Sequence, residues 1–423
     1  MTYQRRVVDT ILDEALEGIV AIALEGAKGV GKTATASRRV KTVLNMTDPR
    51  TRAVVHGNYD LVTQAEPPVL IDEWQLEPQV WDRVRIAVDD DPRAYGRFLL
   101  AGSADIAPGT RIHSGAGRII RLLMRPMALS ERGIQEPTVS LRDLHAGNAV
   151  IAGVTPLAVK NYVDEILRSG FPGIRETPER LRNRQLDGYL TRIVDRDLRE
   201  NGAIVRRPAA LRAWLEAYGA ATASTADYTK ILDAATAGES DKPARATVDG
   251  YREHLRRLFI LDPVEAWIPT FVPLKRLTVS AKHHLVDPAL AARMVGIGAQ
   301  GLLLGEGVTP SPNAGTWLGA LFESLAVQSV RTYADMMNAR VGHLRTKNGD
   351  REIDIIVETN DRKIVALEVK LSDTIYDNDV RHLHWLKQQV GPLLMDAVVL
   401  HTGPHAYRRQ DGIAVIPLAL LGP

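Results

Sequence analysis

The octet Gly26-Ala27-Lys28-Gly29-Val30-Gly31-Lys32-Thr33 constrains this chain more than any other feature. It fits G-x-x-x-x-G-K-[ST] in full, follows the apolar run Ile19 to Leu24, and leads into an Ala-rich stretch suited to a helix. In such a strand–loop–helix unit the glycines let the chain curl until backbone N–H groups converge on phosphate oxygens. The positive end of the following helix dipole adds to this. Gly26, Gly29 and Gly31 are therefore expected to shape the loop, Lys32 to reach the β- and γ-phosphates of ATP, and Thr33 to coordinate Mg2+. With 33 glycines in the chain a chance octet is conceivable, but chance would not place it between a strand and a helix.

Further apolar runs extend the pattern. Pro68 to Ile71 ends at Asp72-Glu73, and Phe98 to Leu100 ends at Ala101-Gly102-Ser103. Strands that end in polar residues between helical stretches predict an α/β sheet whose ligand lies at the carboxyl ends. Asp72 is expected to hold Mg2+ through water, and Glu73 to serve as base or positioning group for the attacking water, which favours hydrolysis over binding alone. The plain alternative is an acidic pair capping a strand. Ser103 would sense the γ-phosphate or the water, or merely cap a turn. Arg118 is the preferred arginine finger, with Arg192 and Arg196 as alternatives, against the background that surface arginines are common.

Length and composition bound the rest. A chain of 423 residues predicts two or three domains, and 45% apolar residues suffice for their cores. There is no Cys, which excludes disulfides, thiolate chemistry and Cys-ligated metal centres. A net charge of +2 argues neither for nor against a nucleic-acid partner, since a basic face can be balanced elsewhere. The first residues, with Glu14 and Glu17, do not read as a signal peptide, and no apolar run reaches the ~18 residues of a spanning helix. A cytoplasmic protein without membrane insertion is the expectation.

A helical stretch is predicted over 155–220, followed by a small unit with helices at 227–232 and 247–258. A hairpin with strands near 259–268 and 270–278 would complete a winged helix there, a fold that serves DNA binding and protein packing about equally. In the last third, a helix from Leu318 to Arg331 precedes strands at Ile353 to Val357 and Ile364 to Val369. Glu323 lies on the helix, Asp354 on one strand, and Glu368 and Lys370 on one face of the next by period-two geometry. Two carboxylates can hold Mg2+ or Mn2+ at a scissile phosphate, with a lysine to orient or deprotonate water and a helix glutamate to complete the site. The same residues occur on ordinary sheets as solvated pairs. Here apolar Ile353, Ile355, Leu367 and Val369 flank the carboxylates, which sets them in buried strands. His283-His284 before Asp287 reads as structural, because adjacent side chains point apart.

Taken together, these motifs resemble the bacterial and archaeal ATP-binding proteins that join an AAA-type ATPase (AAA_14-like) to a carboxyl-terminal DUF4143 domain. The resemblance rests on Gly26 to Thr33, Leu70 to Gln75, Leu100 to Ser103, Gly117-Arg118-Ile119, Met127 to Glu131, Gly170-Phe171-Pro172, Tyr189 to Arg192, Phe322-Glu323, Glu352-Ile353-Asp354 and Leu367 to Lys370. It implies an α/β multidomain chain: a P-loop AAA-type ATPase core over 1–145, a helical lid over 146–215, a winged-helix-like middle domain over 216–278, and a restriction-endonuclease-like domain of the PD-(D/E)XK type over 279–423. ATP hydrolysis with Mg2+, action on DNA through a metal-dependent nuclease-like domain, and self-assembly or a protein partner are what such a chain leads one to expect. The alternative is a regulatory or interaction ATPase whose nuclease-like domain is catalytically silent. One departure concerns Ser103, which is followed by Ala104 where a second Ser is frequent.

Overall fold

The computed structural model describes residues 3–104, 114–237, 244–268, 280–305, 316–346 and 349–423. They form two compact units: Met1–Pro126 with Thr191–Arg206 and Asp249–Ile260, and Met127–Leu190 with Arg207–Val248 and Leu261–Pro423.

The first unit is built on strands β1 (Ala21–Glu25), β2 (Thr42–Asn45), β3 (Val69–Asp72), β4 (Phe98–Gly102) and β5 (Ile119–Leu123). They form one parallel sheet in the order β2-β3-β4-β1-β5. The three central strands are buried along nearly their whole length, as the continuous apolar runs require of a sheet covered on both faces. The helix Gln79–Asp90 contributes Val80, Trp81, Val84, Ala87 and Val88 to the core on one side, where Trp74 and Trp81 stack at 4.6 Å. Leu12 from the helix Val7–Leu16 joins a second core with Ile22, Leu70 and Leu99. Alternate residues of each strand thus feed opposite cores. This sheet order sets the ends of β1, β4 and β3 side by side, so the phosphate loop, Ser103 and Asp72-Glu73 open onto one edge of the sheet.

In the second unit β6 (Val139–Ser140) pairs with Leu421–Gly422, while β7 (Gly153–Val154) joins a larger sheet. That sheet continues with β8 (Arg340–Arg345), β9 (Glu352–Glu358), β10 (Ile364–Val369), β11 (Leu394–His401), β12 (His405–Arg408) and β13 (Ala414–Pro417); β14 is Leu421–Gly422. The order β7-β12-β13-β11-β10-β9-β8 is mixed: β10, β11 and β13 run parallel, and β8 and β9 antiparallel to their neighbours. The helix Trp317–Asp335 is capped by the Thr316 hydroxyl and is buried nearly all round, with polar Ser324, Gln328, Ser329 and Thr332 among its buried residues. Across the sheet, Leu383 and Leu386 of the helix Arg381–Val390 pack with Ile356, Ala366 and Val399.

The helices predicted near 227–232 and 247–258 form as Tyr228–Ala235 and Arg245–Arg257. The strand predicted at 259–268 does not form: Leu261, Val264 and Ala266 make only isolated bridges, to Leu285, Lys282 and His343. Asp262 and Val264 donate to the His284 and Lys282 carbonyls (3.0 and 2.9 Å), while the Asp262 carbonyl accepts from the Arg331 guanidinium (3.0 Å). The strand predicted at 270–278 lies outside the described residues. Among the described residues no helix is long and apolar enough to cross a membrane.

Candidate functional site

At the carboxyl end of β1 the backbone turns through Gly26, Gly29 and Gly31 with φ of 150°, 84° and 107°. At Gly26 a Cβ would fall 2.2 Å from the Met124 carbonyl oxygen, so no larger residue fits. Behind the loop the buried Arg6 guanidinium donates to the carbonyls of Val30 (3.1 Å) and Arg125 (2.9 Å). Lys28 pairs with Asp197 at 2.7 Å, and the Arg192 guanidinium meets the same carboxylate oxygen at 3.3 Å. Asp197 ends a π-helical stretch, Ile193–Asp197. The helix after the loop, Lys32–Ala36, is only five residues long. Its dipole is therefore modest.

Lys32 is almost fully buried and donates to the loop's own carbonyls, Gly26 (2.7 Å) and Ala27 (3.0 Å). Burial pulls its ammonium down to about 8 even though Glu73 and Asp72 favour the charge. The Thr33 hydroxyl donates to both oxygens of Asp72, at 2.9 and 3.1 Å. Burial raises the Asp72 carboxyl above its ordinary range, and the Thr33 hydrogen bond opposes this. Glu73 adopts a left-handed backbone (φ 53°, ψ 44°), costly for a residue with a Cβ by about 1 kcal/mol or more. Its carboxylate accepts from the Ser103 hydroxyl at 2.7 Å and from the Gln75 amide. Gly102 leaves room for Trp74, whose indole nitrogen would lie 2.7 Å from an added Cβ. Lys32, Thr33, Asp72, Glu73 and Ser103 thus come together as the sequence suggests. Arg118 does not join them: its hydrogen bonds go to Asp89 (2.8 Å) and the Ala116 carbonyl. Arg196 pairs with Glu200 at 2.6 Å. Arg6 and Asp197 were not signalled by any motif, and Gln75, which ends the motif Leu70 to Gln75, was given no role there.

The second constellation forms on β9 and β10. Leu367 faces Ile355, so one further step sets Glu368 opposite Asp354. The Lys370 ammonium reaches Glu368 at 2.7 Å, on the shared face expected from strand period. Sequence reasoning missed the group at the centre, Lys282. Its ammonium lies 2.8 Å from Glu323, 2.9 Å from Asp354 and 3.1 Å from Glu352. The side chain is 1% exposed. Burial alone would lower its pKa, but Asp354, Glu323 and Glu352 hold it well above the usual range. Burial also pushes Glu323 up to about 8. Glu368 rises likewise to about 8, from burial and the nearby Asp354. Burial favours the neutral acid at Asp354 too, yet Lys282 and Lys370 hold it below the carboxylate range.

The structure sets Glu323, Asp354 and Glu368, the expected metal grouping, against two lysines. Glu323 and Asp354 close on an ammonium, while Glu368 pairs with Lys370. Among the described residues no group of His, Asp or Glu is arranged to hold a metal ion. His283 and His284 are buried and bond the Ala226 carbonyl and the Ser324 hydroxyl.

Three family models match the chain: an AAA domain over residues 20–132, a domain of unknown function (DUF8612) over 159–301, and a domain of unknown function (DUF4143) over 318–421. The chain thus has an amino-terminal AAA-type ATPase domain and a separate carboxyl-terminal DUF4143 domain. It is similar to uncharacterized proteins of Mycobacterium bovis and Mycobacterium tuberculosis, each 26% identical over 99% of this chain and 84% of theirs. Among solved structures, a chain of Drosophila ORC bound to DNA aligns at 15% identity over 71% of this chain and 94% of that one. Its TM-score is 0.21, too low to support a common fold.

Proposed function

We propose that this protein binds and hydrolyses ATP at the carboxyl edge of the first sheet, and that its carboxyl-terminal domain serves as a binding platform and not as a nuclease. The observation that supports hydrolysis is the pairing of Thr33 with Asp72 beside a Glu73 carboxylate held by Ser103 and Gln75. These residues fit Mg-ATP: Thr33 and Asp72 would hold Mg2+, which neutralises charge on the phosphates when bound. Lys32 would exchange the Gly26 and Ala27 carbonyls for phosphate oxygens. Glu73 would take the proton of the water that attacks the γ-phosphate, with Ser103 fixing its orientation. An arginine from a neighbouring copy, Arg118 among the candidates, would complete the site on self-assembly.

Inorganic phosphate release from Mg-ATP tests the reading. Lys32→Ala should lose nucleotide binding. Glu73→Gln should keep binding and lose turnover by about 100-fold or more. Unchanged turnover in both variants would overturn it. For the second domain the restriction-endonuclease-like arrangement is retained as a proposal, supported by Glu323, Asp354, Glu368 and Lys370 meeting on a helix and two strands. Nicking of supercoiled DNA with Mg2+ or Mn2+ that disappears in Lys370→Ala would restore the nuclease reading.

A further inference from the structure

We propose that the Lys282 ammonium takes the place of a divalent cation among the carboxylates of the second domain, which makes this site metal-independent. The inference rests on reading the domain as a platform that does not cleave. Lys282 has three N–H donors, and Glu323, Asp354 and Glu352 each stand within 3.1 Å of its nitrogen. Glu323 and Asp354 accept hydrogen bonds from the ammonium, Glu352 pairs with it as a third negative charge, and the ammonium has no lone pair for a base.

Its position is fixed from the backbone outward. The Lys282 N–H donates to the Val264 carbonyl (2.8 Å) and its carbonyl accepts from the Val264 N–H (2.9 Å), so the residue is clamped at both peptide groups. The second oxygen of Asp354 is committed as well, to the Val369 N–H at 2.9 Å. A divalent ion on these carboxylates would lie within a few ångströms of a buried positive charge, where repulsion is only weakly screened. Removing the lysine alone would leave carboxylates buried without a counter-charge, which destabilises strongly unless another cation enters. An ammonium neutralises charge as a metal does, but it cannot act as a Lewis acid or lower the pKa of a bound water. That difference turns a nuclease-like arrangement into a structural one.

Uptake of Mn2+ by the nucleotide-free full chain tests this by electron paramagnetic resonance. Wild type and Asp354→Asn should take up Mn2+ alike. Lys282→Met should melt at a lower temperature, gain Mn2+ uptake and recover thermal stability with it, and Lys282→Met/Asp354→Asn should lose that uptake. Mn2+ uptake by wild type that falls in Asp354→Asn would overturn the assignment, even if Lys282→Met failed to fold. A folded Lys282→Met that gains no Mn2+ would overturn it too. The reading of the domain fails separately: Lys370-dependent nicking overturns the platform, whereas Mn2+ uptake through Asp354 without nicking overturns only the role of Lys282.

Discussion

Glu73 sits at the end of a buried strand with a left-handed backbone and a carboxylate bonded to Ser103 and Gln75. If Ser103 orients this carboxylate, Ser103→Ala removes one of its two side-chain partners and leaves the other. Hydrogen bonds to charged groups contribute about 1.5–3 kcal/mol, and Gln75 retains part of the orientation. Steady-state turnover should therefore fall by about tenfold while the affinity for ATP stays within about twofold. A drop in affinity with unchanged turnover would assign Ser103 to nucleotide binding instead. Residues of this kind were legible because their partners follow short, fixed patterns: Lys32 and Thr33 lie within one octet, and Asp72-Glu73 ends an apolar run. Lys282 was not legible. Its partners Glu323 and Asp354 lie 41 and 72 residues away, and a lone lysine beside two histidines belongs to no pattern.

Among the elements, the central strands were readable and the edge strands were not. β1, β3 and β4 are continuous apolar runs because both faces are covered, and hydrophobicity alone marks them. β2 and β5 lie at the sheet's edges with partly exposed residues, so neither alternation nor a long apolar run announces them. The loop between β1 and the helix Lys32–Ala36 is constrained from outside, by the Met124 carbonyl that approaches Gly26 and by Arg6 that ties Val30 in place. Gly26→Ala adds a Cβ against backbone in a conformation reserved for glycine. It should lower unfolding stability of the first unit by about 2 kcal/mol or more and abolish nucleotide binding. Thermal melting with and without ATP checks this. A variant that still melts higher with ATP would show that the loop can shift away from Met124.

The whole chain joins two units with different charge logic. In the first, a buried lysine and an acid pair stand together at the carboxyl ends of the sheet's strands. In the second, Glu323, Asp354, Glu352 and Glu368 are balanced internally by Lys282 and Lys370. That inward balance leaves a signature in stability against pH. Glu323 and Glu368 are both pushed from an ordinary 4.5 up to about 8, so the folded unit keeps protons that the unfolded chain has already released. Where the unfolded state binds fewer protons, stability falls as pH rises. The stabilising contribution of each group is fully present below its unfolded value and is lost as pH climbs through the folded one. Between about pH 5 and about pH 8 the second unit should lose at most ~1.4 kcal/mol per pH unit for each group, less where they share Lys282 and Lys370. Lys282 stays charged throughout this window and adds no slope of its own. Glu368→Gln keeps the shape and removes the titration, so its unfolding free energy should fall less steeply than that of wild type over the same range. Hydrogen exchange of the Val369 amide, which donates to Asp354 beside Glu368, reports this locally. Equal pH slopes for wild type and Glu368→Gln would mean that Glu368 is already ionised in the folded unit. The Lys370 ammonium would then outweigh burial at this carboxylate.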